Sequence, residues 1–385
     1  MSPGFDFDRV VDRRPTDSNK WRKFPPDVLP LWVADMDFPS PPAVVSALRE
    51  RVEHGFFGYL TEHPELPEVV AERVAKRYGW RVSPEAVVLI PGVNVGNNFA
   101  CSALAGPGES VLLQTPAYPP ILRAAGNLGR VRVEQVLAPD ASGRYEQDLD
   151  AFAGAITPRT KVFMLCNPHN PVGRVYGRSE LEGLAASCLE RDLWIVADEI
   201  HCDLLLDGRQ HVPVASLAPE VEQRTVTFMS ASKTFNLPGL KCAVAIVSNA
   251  KLRERLTTAM GDLMSKPNIL GHTAAVAAYR EGDAWLEALL RYLAANRDFL
   301  VDYVRTRIPG VTVAPAEATY LAWLDCRGAR IPGGDPYPFF LERARVALND
   351  GALFGPGGQG FVRLNFGCPR ALLTEGLERM RKALA

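Results

Sequence analysis

The chain has 385 residues, of which 47% are hydrophobic and 23% charged, the balance of an ordinary globular protein. The formal net charge is -1, so we expect no general attraction to nucleic acid or to an acidic membrane surface. The seven cysteines form no C-x-x-C pair, which disfavours a disulfide framework or a metal site and favours a reducing, cytoplasmic compartment. No apolar stretch is long enough to span a membrane, and the N-terminus lacks the apolar region of a signal peptide.

The first predicted helix begins at Pro41 and Pro42, and Gly55 ends it. The apolar face of this helix contains Val45, Leu48 and Val52.

Seven short apolar segments, many of them rich in β-branched residues, then predict the strands of one sheet. Several are apolar nearly throughout, as expected for strands covered on both faces. Helical patterns separate some of them; Ser179 and Glu182 predict a capping box for a helix that runs to about Glu190. We therefore expect an α/β fold with a seven-stranded, mostly parallel sheet formed by segments 86–90, 110–115, 130–138, 161–166, 193–198, 225–230 and 242–248.

The pattern changes after this core. A long amphipathic segment at 283–306 predicts a helix. Strand-like segments follow at 311–314, 318–325 and 361–366, and further helical segments at 336–348 and 370–384. This arrangement predicts a smaller α+β domain. We expect residues 45–275 to form the large domain and residues 276–385 to form the small domain together with the N-terminal arm, residues 1–44.

The motif that indicates chemistry is the segment S-A-S-K-T, in which Lys233 directly follows a predicted strand. Lys241 places a second cation eight residues further on. A lysine after a strand is most often a solvated surface residue, so this motif gains weight only from the polar residues that end other strands.

Asp198 ends another predicted strand, where side chains of a parallel sheet face the ligand crevice. A buried carboxylate needs a cationic partner, and the protonated ring nitrogen of pyridoxal phosphate is one. An N-cap or a metal-ligand aspartate is the alternative interpretation.

Three further segments follow strands. The turn N-P-H-N-P-V-G contains Asn170, whose amide can donate to a ligand oxygen, although such a turn is also simply rigid. The segment P-G-V-N-V-G-N-N at 91–98 is expected to begin a helix whose free N–H groups suit a phosphate. It lacks the spacing of a dinucleotide fingerprint or a P-loop, which disfavours NAD and ATP. Tyr118 can stack on a flat ring or be an ordinary core tyrosine.

In this order, the motifs resemble the fold-type I pyridoxal-phosphate enzymes of the aminotransferase class I/II superfamily. V-A-D-M-D-F at 33–38, F-G-Y at 57–59, D-E-I-H at 198–201, A-T-Y-L-A-W-L-D at 318–325 and G-F-V-R-L-N-F-G-C-P at 360–369 further resemble the cystathionine β-lyase (C–S lyase) branch typified by MalY and PatB. The resemblance covers essentially the whole chain.

The resemblance implies a role for each matching residue. Lys233 would form the Schiff base and act as the general base, and Asp198 would pair with the ring nitrogen. Tyr118 would stack on the cofactor ring, and Asn170 and His201 would contact its 3′-oxygen. The phosphate would be bound by the backbone around Val93 and Asn94, by Ser230 and Ser232, and by Tyr59, which would come from the neighbouring subunit.

The resemblance also assigns the substrate contacts. Arg363 would bind the substrate α-carboxylate as a fork, a geometry that lysine cannot match, and Asn170 and Tyr320 would lie beside it. Phe366 would lie near the same wall. Lys241 stands where many relatives have an arginine on the phosphate, so the charge is kept but the fork is lost.

The resemblance also implies a homodimer with active sites at the subunit interface and a small amino-acid thioether as substrate. The expected reaction is β-elimination from a cysteine S-conjugate such as cystathionine, which gives a thiol, pyruvate and ammonia. An α-amino-acid aminotransferase is the alternative, since the shared residues serve both reactions. A non-catalytic regulator with the same fold is a third hypothesis, which the presence of Lys233 and Arg363 disfavours.

Overall fold

The computed structural model describes residues 4–61 and 63–385. Residues 1–3, part of the segment used for the signal-peptide and domain predictions, lie outside the described residues. The strands are β1 Leu29–Pro30, β2 Val87–Ile90, β3 Ser110–Thr115, β4 Val131–Val136, β5 Thr160–Cys166, β6 Trp194–Asp198, β7 Thr225–Met229, β8 Ala243–Ile246, β9 Thr312–Val313, β10 Leu321–Asp325, β11 Val346–Ala347, β12 Asn349–Asp350 and β13 Phe361–Asn365.

The helices of the described residues connect these strands in an alternating order. They are α1 Asn19–Arg22, α2 Pro42–His54, α3 Leu66–Tyr78, α4 Val93–Leu104, α5 Pro119–Asn127, α6 Leu149–Ala155, α7 Arg178–Glu190, α8 Pro219–Glu222, α9 Ala231–Thr234, α10 Ala250–Met260, α11 Ile269–Glu281, α12 Asp283–Arg307, α13 Pro336–Phe339 and α14 Arg370–Leu384. None of these helices combines the length and the apolar character needed to cross a bilayer.

The largest sheet has the strand order β2-β8-β7-β6-β5-β3-β4, in which only the pairs made by β8 are antiparallel. Its central strands are buried on both faces because alternate side chains enter two different cores. In β5, Val162 and Met164 pack with α4, α5 and α10, whereas Phe163 and Leu165 pack with α6 and α7. The sequence prediction of a seven-stranded, mostly parallel sheet is confirmed.

The C-terminal part of the chain forms a second, antiparallel sheet with the order β12-β13-β10-β9. The N-terminal arm joins this region, because β1 pairs in parallel with β11 through Leu29–Val346 and Pro30–Ala347. Helix α12 is confirmed at Asp283–Arg307 and buries one apolar side of its length, with Leu289, Leu293 and Leu300 inaccessible to solvent.

Three local predictions from the sequence are wrong. Helix α7 begins at Arg178, and the Glu180 carboxylate accepts from the Gly177 N–H at 2.8 Å, so Ser179 does not cap it. The helical segment expected at 336–348 consists of α13 and a π-helical turn at Phe340–Ala344, and it ends there because the chain then forms β11.

Helix α2 has the expected bounds, with Gly55 in the left-handed conformation at φ 78°, but it buries Val44, and of the predicted face only the half-buried Leu48 packs against the core. Val45 and Val52 are exposed.

Candidate active site

The polar groups that follow the central strands meet in one cavity of about 360 Å3. Tyr118 follows β3, Asn170 follows β5, Asp198 ends β6, and Lys233 lies in α9 directly after β7. They converge because the carboxyl ends of parallel strands lie at one edge of the sheet. The cavity wall also contains the predicted residues Val93, Asn94, His201, Ser230, Ser232 and Lys241.

The side chain of Lys233 contacts the backbone of the N-terminal arm. Its Nζ donates to the carbonyl oxygen of Ala34 at 2.8 Å. Burial lowers the pKa of the Lys233 ammonium to about 8, with a smaller contribution from the Arg363 charge. A substantial fraction of this amine is therefore neutral near pH 8, which a general base or a nucleophilic amine requires.

Asp198 is a buried carboxylate without a cationic partner. Its oxygens accept from Asn97 Nδ2 at 3.0 Å and from the Ile200 N–H at 3.3 Å. Burial raises the pKa of the Asp198 carboxyl to about 6, although these hydrogen bonds oppose the shift. Within the described part of the chain no lysine, arginine or histidine forms an ion pair with it, so the site suits a cationic ligand atom.

Arg363 is the complementary feature, a buried cation without an acidic partner among the described residues. One terminal nitrogen donates to Asn170 Oδ1 at 2.9 Å, and the other donates to Asn349 Oδ1 at 2.5 Å and to the Trp32 carbonyl at 3.3 Å. Its Nε is buried and has no hydrogen-bond partner. Burial lowers the pKa of Arg363 to about 10, so a carboxylate ligand would relieve an electrostatic penalty.

His201 lies on the cavity wall, and Tyr320 contacts the wall residue Ala34. Burial lowers the pKa of His201 to about 3, so its imidazole is neutral, and among the described residues its Nδ1 has no hydrogen-bond partner. The Tyr320 hydroxyl donates to the Ala34 carbonyl at 3.1 Å, the same oxygen that Lys233 contacts.

The opposite end of the cavity is built for an anion. The first intrahelical hydrogen bonds of α4 run from Val95 and Gly96 to the Gly92 carbonyl, both at 3.1 Å. The N–H groups of Val93 and Asn94 precede those bonds and belong to the positive end of the helix.

Ser232 and Lys241 lie on the same wall, and the Lys241 side chain is exposed at its rim. Ser230 has a more structural place than the sequence suggested. Its Oγ caps α9 by accepting from the Ser232 N–H at 3.0 Å and lies 2.6 Å from the Cys242 carbonyl.

These groups fit pyridoxal 5′-phosphate. Asp198 suits its protonated ring nitrogen, Lys233 its aldehyde carbon, the α4 N-terminus its phosphate, and the unpartnered Nδ1 of His201 a polar ring substituent. The half-buried Tyr118 supplies an aromatic face on the same wall.

Four predicted residues are not part of the cavity wall. Arg363 and Tyr320 contact residues that are, since Arg363 donates to Asn170 and Tyr320 donates to the Ala34 carbonyl. Tyr59 and Phe366 lie further away. Tyr59 follows α2 and has a relative exposure of 106%, so within one chain it makes no contribution to the site. Phe366 is fully buried, and its N–H donates to the Tyr320 carbonyl at 2.9 Å, which places it behind the wall.

Three residues of the site were not assigned from the sequence. Ala34 contributes a backbone oxygen, which side-chain patterns do not reveal. Asn97 and Asn349 act on the predicted residues Asp198 and Arg363. The only available signal was the position of Asn97 within the glycine-containing segment before α4.

The family model described as "Aminotransferase class I and II" matches residues 26–380. Cystathionine beta-lyase PatB of Bacillus subtilis is 36% identical, with 98% of this chain and 100% of that protein covered. Protein MalY of Escherichia coli is 32% identical, with 99% of each chain covered.

The fold is also shared with solved structures. The PLP-bound C-S lyase from Staphylococcus hominis superposes with a TM-score of 0.92 at 31% identity, covering 99% of both chains. The predicted cofactor and the predicted resemblance are thereby confirmed. From the family model and these full-length relatives, the chain belongs to the class I and II aminotransferase family, in its MalY- and PatB-like branch.

Proposed function

We propose that this protein is a pyridoxal-phosphate-dependent β-lyase that cleaves the Cβ–S bond of an S-substituted cysteine and consumes one water, giving a thiol, pyruvate and ammonia. The observation that carries the proposal is the full-length similarity to cystathionine beta-lyase PatB. The geometry agrees with it, because the cavity brings together the Lys233 amine and the unpaired buried Asp198 carboxylate, and the buried Arg363 guanidinium donates to Asn170 on its wall.

Arg363 binds the substrate α-carboxylate in this proposal. Asn170 and Asn349 accept from its two terminal nitrogens, so the guanidinium plane is fixed before the substrate arrives. The cation has already lost its hydration by burial, so the substrate carboxylate gains a charge-assisted contact without having to dehydrate it, which favours binding and fixes the orientation of Cα.

The bound cofactor supplies an electron-withdrawing ring that stabilises negative charge at the substrate Cα. Lys233 accepts the Cα proton at Nζ, a task for which its lowered pKa is suited. Asp198 holds the proton at the ring nitrogen, and the thiolate leaves from Cβ. The neutral imidazole of His201 adds no charge beside Lys233, so it does not oppose proton uptake there.

An aminotransferase is the second candidate, because the family model covers enzymes in which the same residues bind the amino acid and the cofactor. The two activities differ in their co-substrate: transamination requires a keto acid as acceptor, and β-elimination does not.

We also propose that two chains associate and that Tyr59 completes the phosphate site of the partner. The support is a group of exposed apolar residues on α2 and the segment after it, namely Val45, Val52, Phe56, Phe57 and Tyr59. Apolar side chains grouped in this way are typical of an interface.

The division of the chain into residues 45–275 and residues 1–44 with 276–385 is part of the same proposal. The pairing of β1 with β11 supports it, because this pairing joins the N-terminal arm to the C-terminal part of the chain. The proposed boundary at residue 275 lies within helix α11. The cysteines, all buried and without disulfides, agree with a cytoplasmic location.

A product assay tests the activity. Purified, cofactor-loaded protein is given L-cystathionine or an S-alkyl cysteine, with and without an added keto acid. Equal amounts of thiol, pyruvate and ammonia without the keto acid support the lyase. Turnover that requires the keto acid and forms a new amino acid identifies an aminotransferase.

A further inference from the structure

One side chain donates a hydrogen bond to the Asp198 carboxylate in the described part of the chain, and it comes from helix α4. Asn97 is 1% exposed, and its Nδ2 lies 3.0 Å from Asp198 Oδ2. The other carboxylate oxygen accepts only from the Ile200 backbone N–H, at 3.3 Å. The amide therefore fixes the orientation of the carboxylate within the cavity.

The close approach of α4 to the sheet makes this contact possible. A Cβ atom on Gly96 would lie 2.5 Å from the Phe228 ring and 2.7 Å from Ile90 Cδ1. Because Gly96 has no Cβ atom, α4 packs directly on β2 and β7. The side chain of the next residue, Asn97, then reaches Asp198 at the end of β6. Gly96 thus serves the contact between Asn97 and Asp198 by allowing the helix to lie this close.

The amide contact is costly for the protein in another way. Asn97 Oδ1 is buried, and none of the residues that the structure describes donates a hydrogen bond to it. A buried acceptor without a partner destabilises a fold, so an apolar residue of similar size would suit the packing better. The residue is therefore poorly explained by stability alone, and its N–H donor is the feature that the site uses.

We propose that Asn97 is a positioning residue for Asp198: its amide holds the carboxylate ionised and aimed at the ring nitrogen of the cofactor. This inference rests on the proposed function for the placement of that ring. Burial favours the neutral carboxyl, and the Asn97 hydrogen bond opposes it by lowering the pKa of Asp198. The other charged or titratable groups near this carboxyl are Cys166 on β5, Glu199 after β6 and Lys233 on α9.

The test uses Asn97→Leu and Asn97→Asp, with Gln114→Leu as a matched control. Gln114 is another buried amide; it donates to Gln135 at 2.8 Å and is not part of the cavity wall. Two quantities are measured: the affinity of the apoenzyme for pyridoxal phosphate, and the melting temperature of the apoenzyme at pH 5 and pH 8.

Asn97→Leu is expected to weaken cofactor binding at pH 8 by about tenfold, the usual effect of losing a hydrogen bond to a charged group. Its melting temperature should fall at pH 8, where Asp198 is ionised, and not at pH 5. Asn97→Asp should bind the cofactor still more weakly, because a second carboxylate opposes ionisation of the first. Gln114→Leu should keep its cofactor affinity and lose the same stability at both pH values.

Unchanged cofactor affinity in Asn97→Leu, or an equal loss of stability at both pH values, would overturn the role of Asn97. This result is separable from the proposed activity. A wild-type protein that binds the cofactor but releases no thiol or pyruvate overturns the lyase and leaves the affinity comparison valid. A wild-type protein that binds no cofactor overturns both.

Discussion

Lys233 and Ala34 are 199 positions apart in the chain, yet the lysine Nζ donates to the alanine carbonyl oxygen at 2.8 Å. The lysine belongs to the turn after a central strand, and the alanine belongs to the N-terminal arm. The reactive amine is therefore held by two parts of the chain, and its position depends on how the arm is anchored.

The central prediction concerns Lys233 itself. Lys233→Ala should abolish turnover, and borohydride reduction should no longer attach the cofactor covalently, because no other lysine lines the cavity except Lys241 at its rim. Mass spectrometry of the reduced protein measures the attachment. Lys241→Ala is the control and should retain it. Turnover by Lys233→Ala would refute the assignment of the base.

A buried ion pair between two residues of the arm fixes the shape of the arm itself. Asp37 accepts from Lys20 Nζ at 2.7 Å and from Trp21 Nε1 at 2.8 Å, and the Lys20 side chain is inaccessible to solvent. Asp37→Asn leaves Lys20 buried without its counter-charge, so we expect a loss of about 3 kcal/mol in the free energy of unfolding.

Denaturant unfolding measures this loss. The control is Asp17→Asn, which removes the fully exposed partner of Arg22 and should change stability by less than about 0.5 kcal/mol. Equal effects of the two substitutions would show that the buried pair does not stabilise the arm.

Substrate binding should depend on the shape of the cation at position 363. Arg363→Lys should raise KM by roughly tenfold or more with a smaller change in kcat, because a point charge replaces a planar fork. Asn349→Ala should raise KM in the same direction, since its Oδ1 accepts from Arg363 at 2.5 Å. Steady-state kinetics with an S-alkyl cysteine measures both. An unaltered KM in Arg363→Lys would mean that another residue binds the carboxylate.

The free energy of unfolding of the apoenzyme should depend on pH, because the ionised Asp198 carboxylate is buried. The pKa of this carboxyl is about 6 in the folded chain, above its ordinary value of 3.8, so its stabilising contribution is fully present only below pH 3.8 and is lost as the pH rises through 6. Asp198→Asn removes the penalty at neutral pH. The variant should therefore be more stable than the wild-type apoenzyme at pH 7 by about 2–3 kcal/mol.

This advantage should shrink as the pH is lowered towards 4, and the variant should bind the cofactor much more weakly. Thermal unfolding across pH 4–8 follows the difference. A difference that does not change with pH would indicate that the Asp198 carboxyl is not shifted.

Subunit mixing tests the proposed role of Tyr59. Lys233→Ala and Tyr59→Ala homodimers should each have little activity, whereas a mixed dimer combines an intact Lys233 and a partner's intact Tyr59 in one of its two sites. Activity should therefore recover partly after exchange. Confirmed exchange without recovery would refute a shared site.

The sequence predicted those features that depend on short segments. The central strands β5 and β6 were found because a strand covered on both faces is apolar nearly throughout, and Asp198 and Lys233 were found because they end or directly follow central strands. The predicted capping box paired Ser179 with Glu182. The helix begins two residues earlier than that pairing requires, so the carboxylate that accepts the capping hydrogen bond, from the Gly177 N–H, belongs to Glu180.

Contacts between distant segments left no such signal. Asn97 and Asp198 are 101 positions apart, and nothing in either local pattern indicates that the amide reaches the carboxylate. The segment at 336–348 has the composition of a helix, but residues 346–347 become a strand because β1 offers them backbone partners. In both cases the tertiary structure determines the outcome and overrides local preference.

The parallel pairing of β1 with β11 has a consequence for biosynthesis. Leu29 and Pro30 emerge early from the ribosome, whereas their partners Val346 and Ala347 are made near the end of translation. The arm that supplies Ala34 to the site thus waits for almost the whole polypeptide before it can dock. The central sheet can assemble during synthesis, but we expect the finished cavity, and with it tight cofactor binding, to form only when translation is nearly complete.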